Sequence, residues 1–175
     1  MKQKQIAILT ENGFEQVELT SPKEALEKEG YIVHIISPQK EKVKGWNHTD
    51  WGIELPVDKH IDEVAPEDYD ALVLPGGVIN PDKLRTNENA VAFTKQMLES
   101  GKPLAAICHG PQTLIETNLL SGKNITSYPS LQTDLKNAGA TWSDKEVIVD
   151  NNLITSRNPD DLPAFNRELI KALSK

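Results

Sequence analysis

Cysteine is almost missing: the chain has one, Cys108, among 175 residues. A single thiol excludes an intrachain disulfide and any Cys-rich zinc site. Basic residues are in deficit, 19 against 26 acidic, for a formal charge of -7 and a pI near 5.1. General affinity for nucleic acid or an anionic membrane needs clustered Lys and Arg, so neither is expected. No apolar run approaches the roughly 18 residues of a membrane span. The opening MKQKQIAILTENG turns polar too early for a secretory signal. Repeats, low-complexity tracts and linkers are absent too. What remains reads as one cytoplasmic, soluble domain over residues 1–175, long enough to bury roughly 70% of its unfolded surface.

Short apolar runs alternate with amphipathic ones. Gln5 to Thr10, Tyr31 to Ser37, Ala71 to Leu74 and Leu104 to Ile107 read as buried strands. Ser21-Pro22-Lys23-Glu24 carries two helix-start signals, and Gly30 sits where a helix ends. Asn87 caps a helix to Ser100, Leu131 to Ala138 forms another, and Pro163 to Ser174 closes the chain. Between Pro38 and Lys59 the polar stretch predicts a hairpin or excursion; Asn151-Asn152 predicts a tight turn. Such alternation implies an α/β fold, a mostly parallel sheet with helices on both faces.

Open parallel sheets bind ligands beyond the carboxyl ends of their strands. Three loops therefore matter: Glu11 to Glu15, Pro75 to Asp82, and Cys108 to Pro111. Cys108 stands between a strand and a helix start, a turn that can hold a nucleophile out at the sheet edge. The helix N-terminus should favour thiolate, placing the thiol below its reference of about 8.5. The alternative is a buried, inert cysteine. His109 is a general base or a polar helix opener, and its backbone N–H suits an oxyanion hole. Gly76 and Gly77 could supply a second donor, since glycine admits close approach. Glu15 reads either as a solvated first-turn residue or as the carboxyl partner of the thiol. Asp82 is by default an exposed carboxylate. Trp46, His48, Asp50 and Trp51 form either a packed surface hairpin or part of the site lining.

Three segments together carry a resemblance: Phe14-Glu15-Gln16-Val17-Glu18-Leu19, Ala71 to Gly77, and Ala106-Ile107-Cys108-His109-Gly110-Pro111. With Gly122 to Pro129, Asn137 to Ala140 and Thr155 to Leu162, they resemble the PfpI family along essentially the whole chain. That family is the intracellular cysteine peptidase branch of the superfamily that includes the Parkinson's-disease protein deglycase. The resemblance implies a flavodoxin-like sandwich, a homodimer or larger homo-oligomer, and no cofactor or metal. It matches Cys108 to the nucleophile, His109 to the adjacent histidine, Glu15 to the carboxyl at the sulfur and Gly77 to the oxyanion-hole glycine. Tyr128 resembles a tyrosine near the family's site. The family's third catalytic residue is a Glu reaching the histidine from a neighbouring subunit. Its nearest equivalent here is Asp82, one methylene shorter and preceded by an extra residue in Val78-Ile79-Asn80-Pro81. The implied activity is a cysteine hydrolase of glyoxal or methylglyoxal adducts (deglycase or cofactor-free glyoxalase) or of peptides, in stress protection. The competing class is a non-enzymatic redox-sensing or chaperone-like stress protein with an oxidised Cys108.

Overall fold

Apart from Gln5, the runs Gln5–Leu9, Ala71–Leu74 and Leu104–Ile107 are apolar at every position, as strands covered on both faces must be. In the computed structural model, which describes residues 2–175, they lie side by side at the centre of a seven-stranded sheet. In chain order the strands are β1 (Gln5–Leu9), β2 (Phe14–Glu15), β3 (Ile32–Ser37), β4 (Lys42–Asn47), β5 (Asp50–Pro56), β6 (Lys59–His60), β7 (Ala71–Leu74), β8 (Leu104–Ile107), β9 (Asn124–Ile125), β10 (Thr141–Trp142), β11 (Ile148–Asp150) and β12 (Leu153–Ser156). The helices are α1 (Gln16–Lys28), α2 (Ile79–Leu84), α3 (Glu88–Glu99), α4 (Pro111–Ile115), α5 (Gln132–Asn137) and α6 (Leu162–Leu173).

The sheet order is β11-β12-β8-β7-β1-β3-β6. Every neighbouring pair is parallel except the β11–β12 hairpin, whose turn places Asn151 at φ 53°. This is the flavodoxin-like, doubly wound order, and it reverses between β1 and β7. Side chains sort by strand parity. Ala7, Leu9, Leu72, Leu74, Leu104 and Ala106 pack with α3, α4 and α5 on one face. Ile6, Ile8, Val73, Ala105 and Ile107 pack with α1 and α6 on the other. Among the described residues no helix is long and apolar enough to cross a membrane.

Two elements depart from the sequence expectation. Helix α1 starts at Gln16, five residues before the Ser-Pro signal, and Pro22 lies inside it. Pairing of β2 with β4 delivers the chain into the helix early, and burial of Leu19, Pro22 and Leu26 against the sheet outweighs the proline's cost of about 3 kcal/mol. Because Pro22 has no N–H, the carbonyl of Glu18 lacks its helical partner. The six-residue α2 was also unanticipated; it occupies the loop after β7.

The expected excursion is the β4–β5 hairpin, hung on β2 rather than on the main sheet. Lys44 and Asn12 fasten it: the Gly13 N–H donates to the Lys44 carbonyl at 2.8 Å, and the Lys44 N–H to Asn12 Oδ1 at 2.8 Å. It thereby leans over the carboxyl end of β1.

Candidate active site

Cys108 directly follows β8 and has φ +61°, a conformation that costs a non-glycine residue about 1 kcal/mol or more. Three backbone hydrogen bonds hold the turn. The Cys108 N–H donates to the Ser156 carbonyl at 3.1 Å, the Gly110 N–H to Ile107 at 2.8 Å, and the Tyr128 N–H to the Cys108 carbonyl at 2.9 Å. The side chain is thus thrown off the strand end into an open cavity of about 490 Å³. That volume suits a small ligand. Glu15, Glu18, Trp46, His48, Gly77, His109 and Tyr128 are among its lining residues. A larger depression of about 750 Å³, between the hairpin and Lys83, is lined by four lysines and Trp51 but by no cysteine, serine, threonine or histidine.

The glutamate at the sulfur is Glu18, not Glu15. Glu18 is fully buried, and its carboxyl and the thiol perturb each other directly. Its Oε1 accepts the Gly76 N–H at 3.1 Å; Oε2 is buried without a nitrogen or oxygen partner. Glu15, assigned to the sulfur on resemblance, stands at the N-cap position of α1 and turns toward the hairpin: its Oε1 accepts the His48 N–H at 3.2 Å. The two residues exchange roles because α1 begins before Ser21. Glu18 then falls on the buried stripe with Leu19, Pro22 and Leu26. A glutamate on an apolar helical stripe was the signal available in the sequence.

Burial, with repulsion from Glu15 second, raises the Glu18 carboxyl from 4.5 to about 8, so it keeps its proton at neutral pH. Burial also pushes the Cys108 thiol up, and an ionised Glu18 pushes it further. The backbone N–H groups of Gly77 and His109 oppose this by pointing at the sulfur. The expected depressed thiol is therefore not found. Helix α4 has only five residues, so its dipole is weak, whereas burial acts in full. The two groups titrate as a pair.

His109 Nδ1 lies 3.2 Å from Cys108 Sγ, and its Nε2 lies 3.2 Å from Ser130 Oγ. Burial lowers the imidazole pKa, which favours the neutral ring. Tyr128 stacks on it, ring centroids 4.7 Å apart at 25°. Asp82 is exposed on α2, outside the cavity, and the group at Nε2 within this chain is Ser130. Gly76 stands behind the site rather than lining it. A Cβ there would come within 2.6 Å of Glu18 Oε1 and 2.7 Å of Cys108 Cβ. Gly77, at φ +79°, crosses so close to the β1 loop that a Cβ would meet the Gly13 carbonyl at 2.4 Å. Trp46 and His48 line the cavity from the hairpin. Trp46 Nε1 donates to the His48 carbonyl at 2.9 Å, and its ring meets Trp51 edge-on. Asp50 and Trp51 are exposed and lie outside the cavity. Among the described residues no three His, Cys, Asp or Glu side chains are grouped to hold a metal ion.

The arrangement can support nucleophilic addition to a carbonyl. It combines a thiol, two N–H donors beside it, a protonated carboxyl and a neutral imidazole. The sequence profile of the DJ-1/PfpI family matches residues 4–172. A deglycase of Thermococcus kodakarensis is 48% identical over 168 residues, covering 96% of this chain and 98% of that one. YraA of Bacillus subtilis, provisionally named a cysteine protease, is 48% identical over 170 residues, covering 97% and 98%. A solved two-domain protein of Anabaena variabilis, with DJ-1/ThiJ/PfpI-like and ferritin-like domains, is 39% identical with a TM-score of 0.93. It covers 98% of this chain, while the chain spans 48%, about half, of that longer protein.

Proposed function

This chain belongs to the DJ-1/PfpI family, and on that premise we propose that it is a cysteine hydrolase acting on methylglyoxal and on its adducts with amines. One observation carries the reading: the only thiol shares a small cavity with a buried carboxyl that keeps its proton to about pH 8. Dicarbonyl conversion needs a nucleophile and a single group that both gives and takes a proton at neighbouring atoms.

The Cys108 thiol gives its proton to His109 Nδ1 as the sulfur adds to the aldehyde carbon of methylglyoxal, and the carbonyl oxygen, facing the N–H groups of Gly77 and His109, takes a proton from Glu18. In an amine adduct the same carbon loses its C–N bond as the C–S bond forms, and the amine leaves with a proton from Glu18. Glu18, now a carboxylate, takes the proton from the sulfur-bearing carbon, and the neighbouring ketone carbon receives one. The first carbon is oxidised and the second reduced, so no outside oxidant is required. Water then attacks the resulting lactoyl thioester, with His109 as base, and releases lactate and the thiol. Net, adduct plus water gives amine plus lactate.

Purified protein should convert methylglyoxal to lactate, and Cys108→Ser should abolish the conversion. With adducts of N-acetylated amino acids, amine release faster than spontaneous dissociation marks true deglycation; release at the spontaneous rate marks glyoxalase action alone. Cleavage of peptides with dicarbonyls untouched would sink the reading.

Peptide hydrolysis is the second reading, favoured by the 3.2 Å contact between His109 Nδ1 and Cys108 Sγ. A triad needs an acid at the far side of the imidazole. We propose that Asp82 of a second copy would supply it in a cytoplasmic homodimer or larger homo-oligomer.

A further inference from the structure

Asn80 is a fully buried polar side chain that no step above uses. Its amide is completely partnered. Oδ1 accepts the Glu11 N–H at 2.7 Å, and Nδ2 donates to the carbonyls of Pro75 at 3.0 Å and Gly76 at 3.1 Å. Those contacts also fix which end of the amide is oxygen, since only nitrogen can donate to two carbonyls.

The two carbonyls belong to consecutive peptide planes. In a trans peptide the C=O and the following N–H point in opposite directions. Holding the Pro75 carbonyl on Asn80 therefore turns the Gly76 N–H the other way, where it donates to Glu18 Oε1 at 3.1 Å. Holding the Gly76 carbonyl likewise turns the Gly77 N–H toward the Cys108 sulfur. The Gly76 carbonyl has a second donor, the Glu15 N–H at 3.3 Å. Glycine on both sides of the Gly76–Gly77 bond leaves this plane free to flip unless something restrains it.

We infer that Asn80 is the positioning residue of this site, one side-chain amide that aims the Gly76 N–H at Glu18 and the Gly77 N–H at the Cys108 sulfur. The Glu11 N–H anchors it to the loop after β1, so the β1 and β7 loops act as one rigid support. The inference rests on the thiol reading above, but it concerns backbone direction rather than substrate.

The test compares wild type with Asn80→Ala and Asn80→Ser, the latter keeping one hydroxyl donor. In the alanine variant kcat for methylglyoxal should fall by about 10² to 10³, the loss typical of one oxyanion donor, with KM changed little. A thiolate that loses the Gly77 N–H is harder to form. The pH at which iodoacetamide alkylation of Cys108 half-develops should therefore move upward, by roughly 0.5 to 1 on the pH scale. Serine should fall between. A merely structural asparagine would lower the melting temperature and leave both readouts in place. In unmodified protein, NMR should show both Asn80 side-chain NH₂ protons protected from exchange. It should also show the Gly76 amide shift titrating with Glu18. Folded variants with unchanged kcat and alkylation profile, or fast exchange of the Asn80 amide in wild type, would overturn the assignment. Absence of wild-type turnover would sink the dicarbonyl reading alone, because the alkylation and NMR readouts need no substrate.

Discussion

Replacing Glu18 with Gln should stabilise the protein, and by an amount that depends on pH. Unfolded, the carboxyl ionises near 4.5; in the folded chain it ionises near 8. The fold therefore prefers the neutral form. Below pH 4.5 the group is protonated in both states and costs nothing. As pH rises from 4.5 to 8 the unfolded chain gains by ionising and the fold cannot follow, so stability falls; above 8 the whole penalty is present. Full conversion gives roughly 4–5 kcal/mol, and relaxation of a real interior reduces this to about 2–3 kcal/mol. Glutamine is nearly isosteric, can accept the Gly76 N–H and carries no charge. Urea unfolding at pH 5, 7 and 9 in a Cys108→Ser background isolates the effect from the thiol. Stabilisation should be near zero at pH 5 and greatest at pH 9, where the melting temperature should rise by about 5–10 °C. Activity of Glu18→Gln on the intact thiol background should fall by at least about 10², because the amide cannot exchange the proton. A stability gain that does not vary with pH, or a loss at pH 9, would refute the claim that Glu18 is a buried acid held neutral by its surroundings. A stabilisation that grows with pH would mark a site where function is retained at the expense of stability.

Glu15→Gln removes the charge that helps raise Glu18, so Glu18 should ionise at lower pH, repel the thiolate sooner and move the pH midpoint of Cys108 alkylation up, while methylglyoxal turnover falls only a few-fold. If instead turnover disappears, Glu15 takes part directly. Gly76→Ala drives a methyl group into Glu18 and Cys108 and should abolish activity; an active, folded alanine variant would contradict the packing described. His109→Ala should slow thioester hydrolysis by about 10² to 10⁴, seen as an accumulating acyl-enzyme in mass spectra. In wild type the acidic limb of the hydrolysis profile should lie below the imidazole reference of about 6.5, since burial lowers His109. Asp82→Ala should leave dicarbonyl turnover unchanged. If it impairs peptide cleavage, mixing with Cys108→Ala subunits should restore part of it, and no recovery with proven subunit exchange would place Asp82 outside the shared site.

Much of this was legible in the sequence because it is local. Buried runs such as Ala71–Leu74 must be covered on both faces, which dictates a parallel sheet flanked by helices whatever the details of packing. A strand running straight into Cys108-His109-Gly110-Pro111 presents its cysteine at the sheet edge, and the following amide comes with it. The same locality marked Gly77, whose positive φ follows from a Gly-Gly turn at a strand end. Whether Glu15 or Glu18 meets the sulfur could not be settled that way. Both carboxyls lie on one short segment, and which faces the sheet depends on where α1 begins. That start is set by pairing of β2 with β4, some thirty residues on, and not by the stronger local signal at Ser21-Pro22. Asn80 is legible only in three dimensions for the same reason. Its sequence, Val78-Ile79-Asn80-Pro81, reads as a loop, and its meaning arises where the β1 and β7 loops meet across the reversal of strand order. Even the thiol's protonation is a tertiary property. The sequence placed Cys108 at a helix start and implied a lowered pKa, but a five-residue helix exerts little field while burial beside Glu18 exerts a large one.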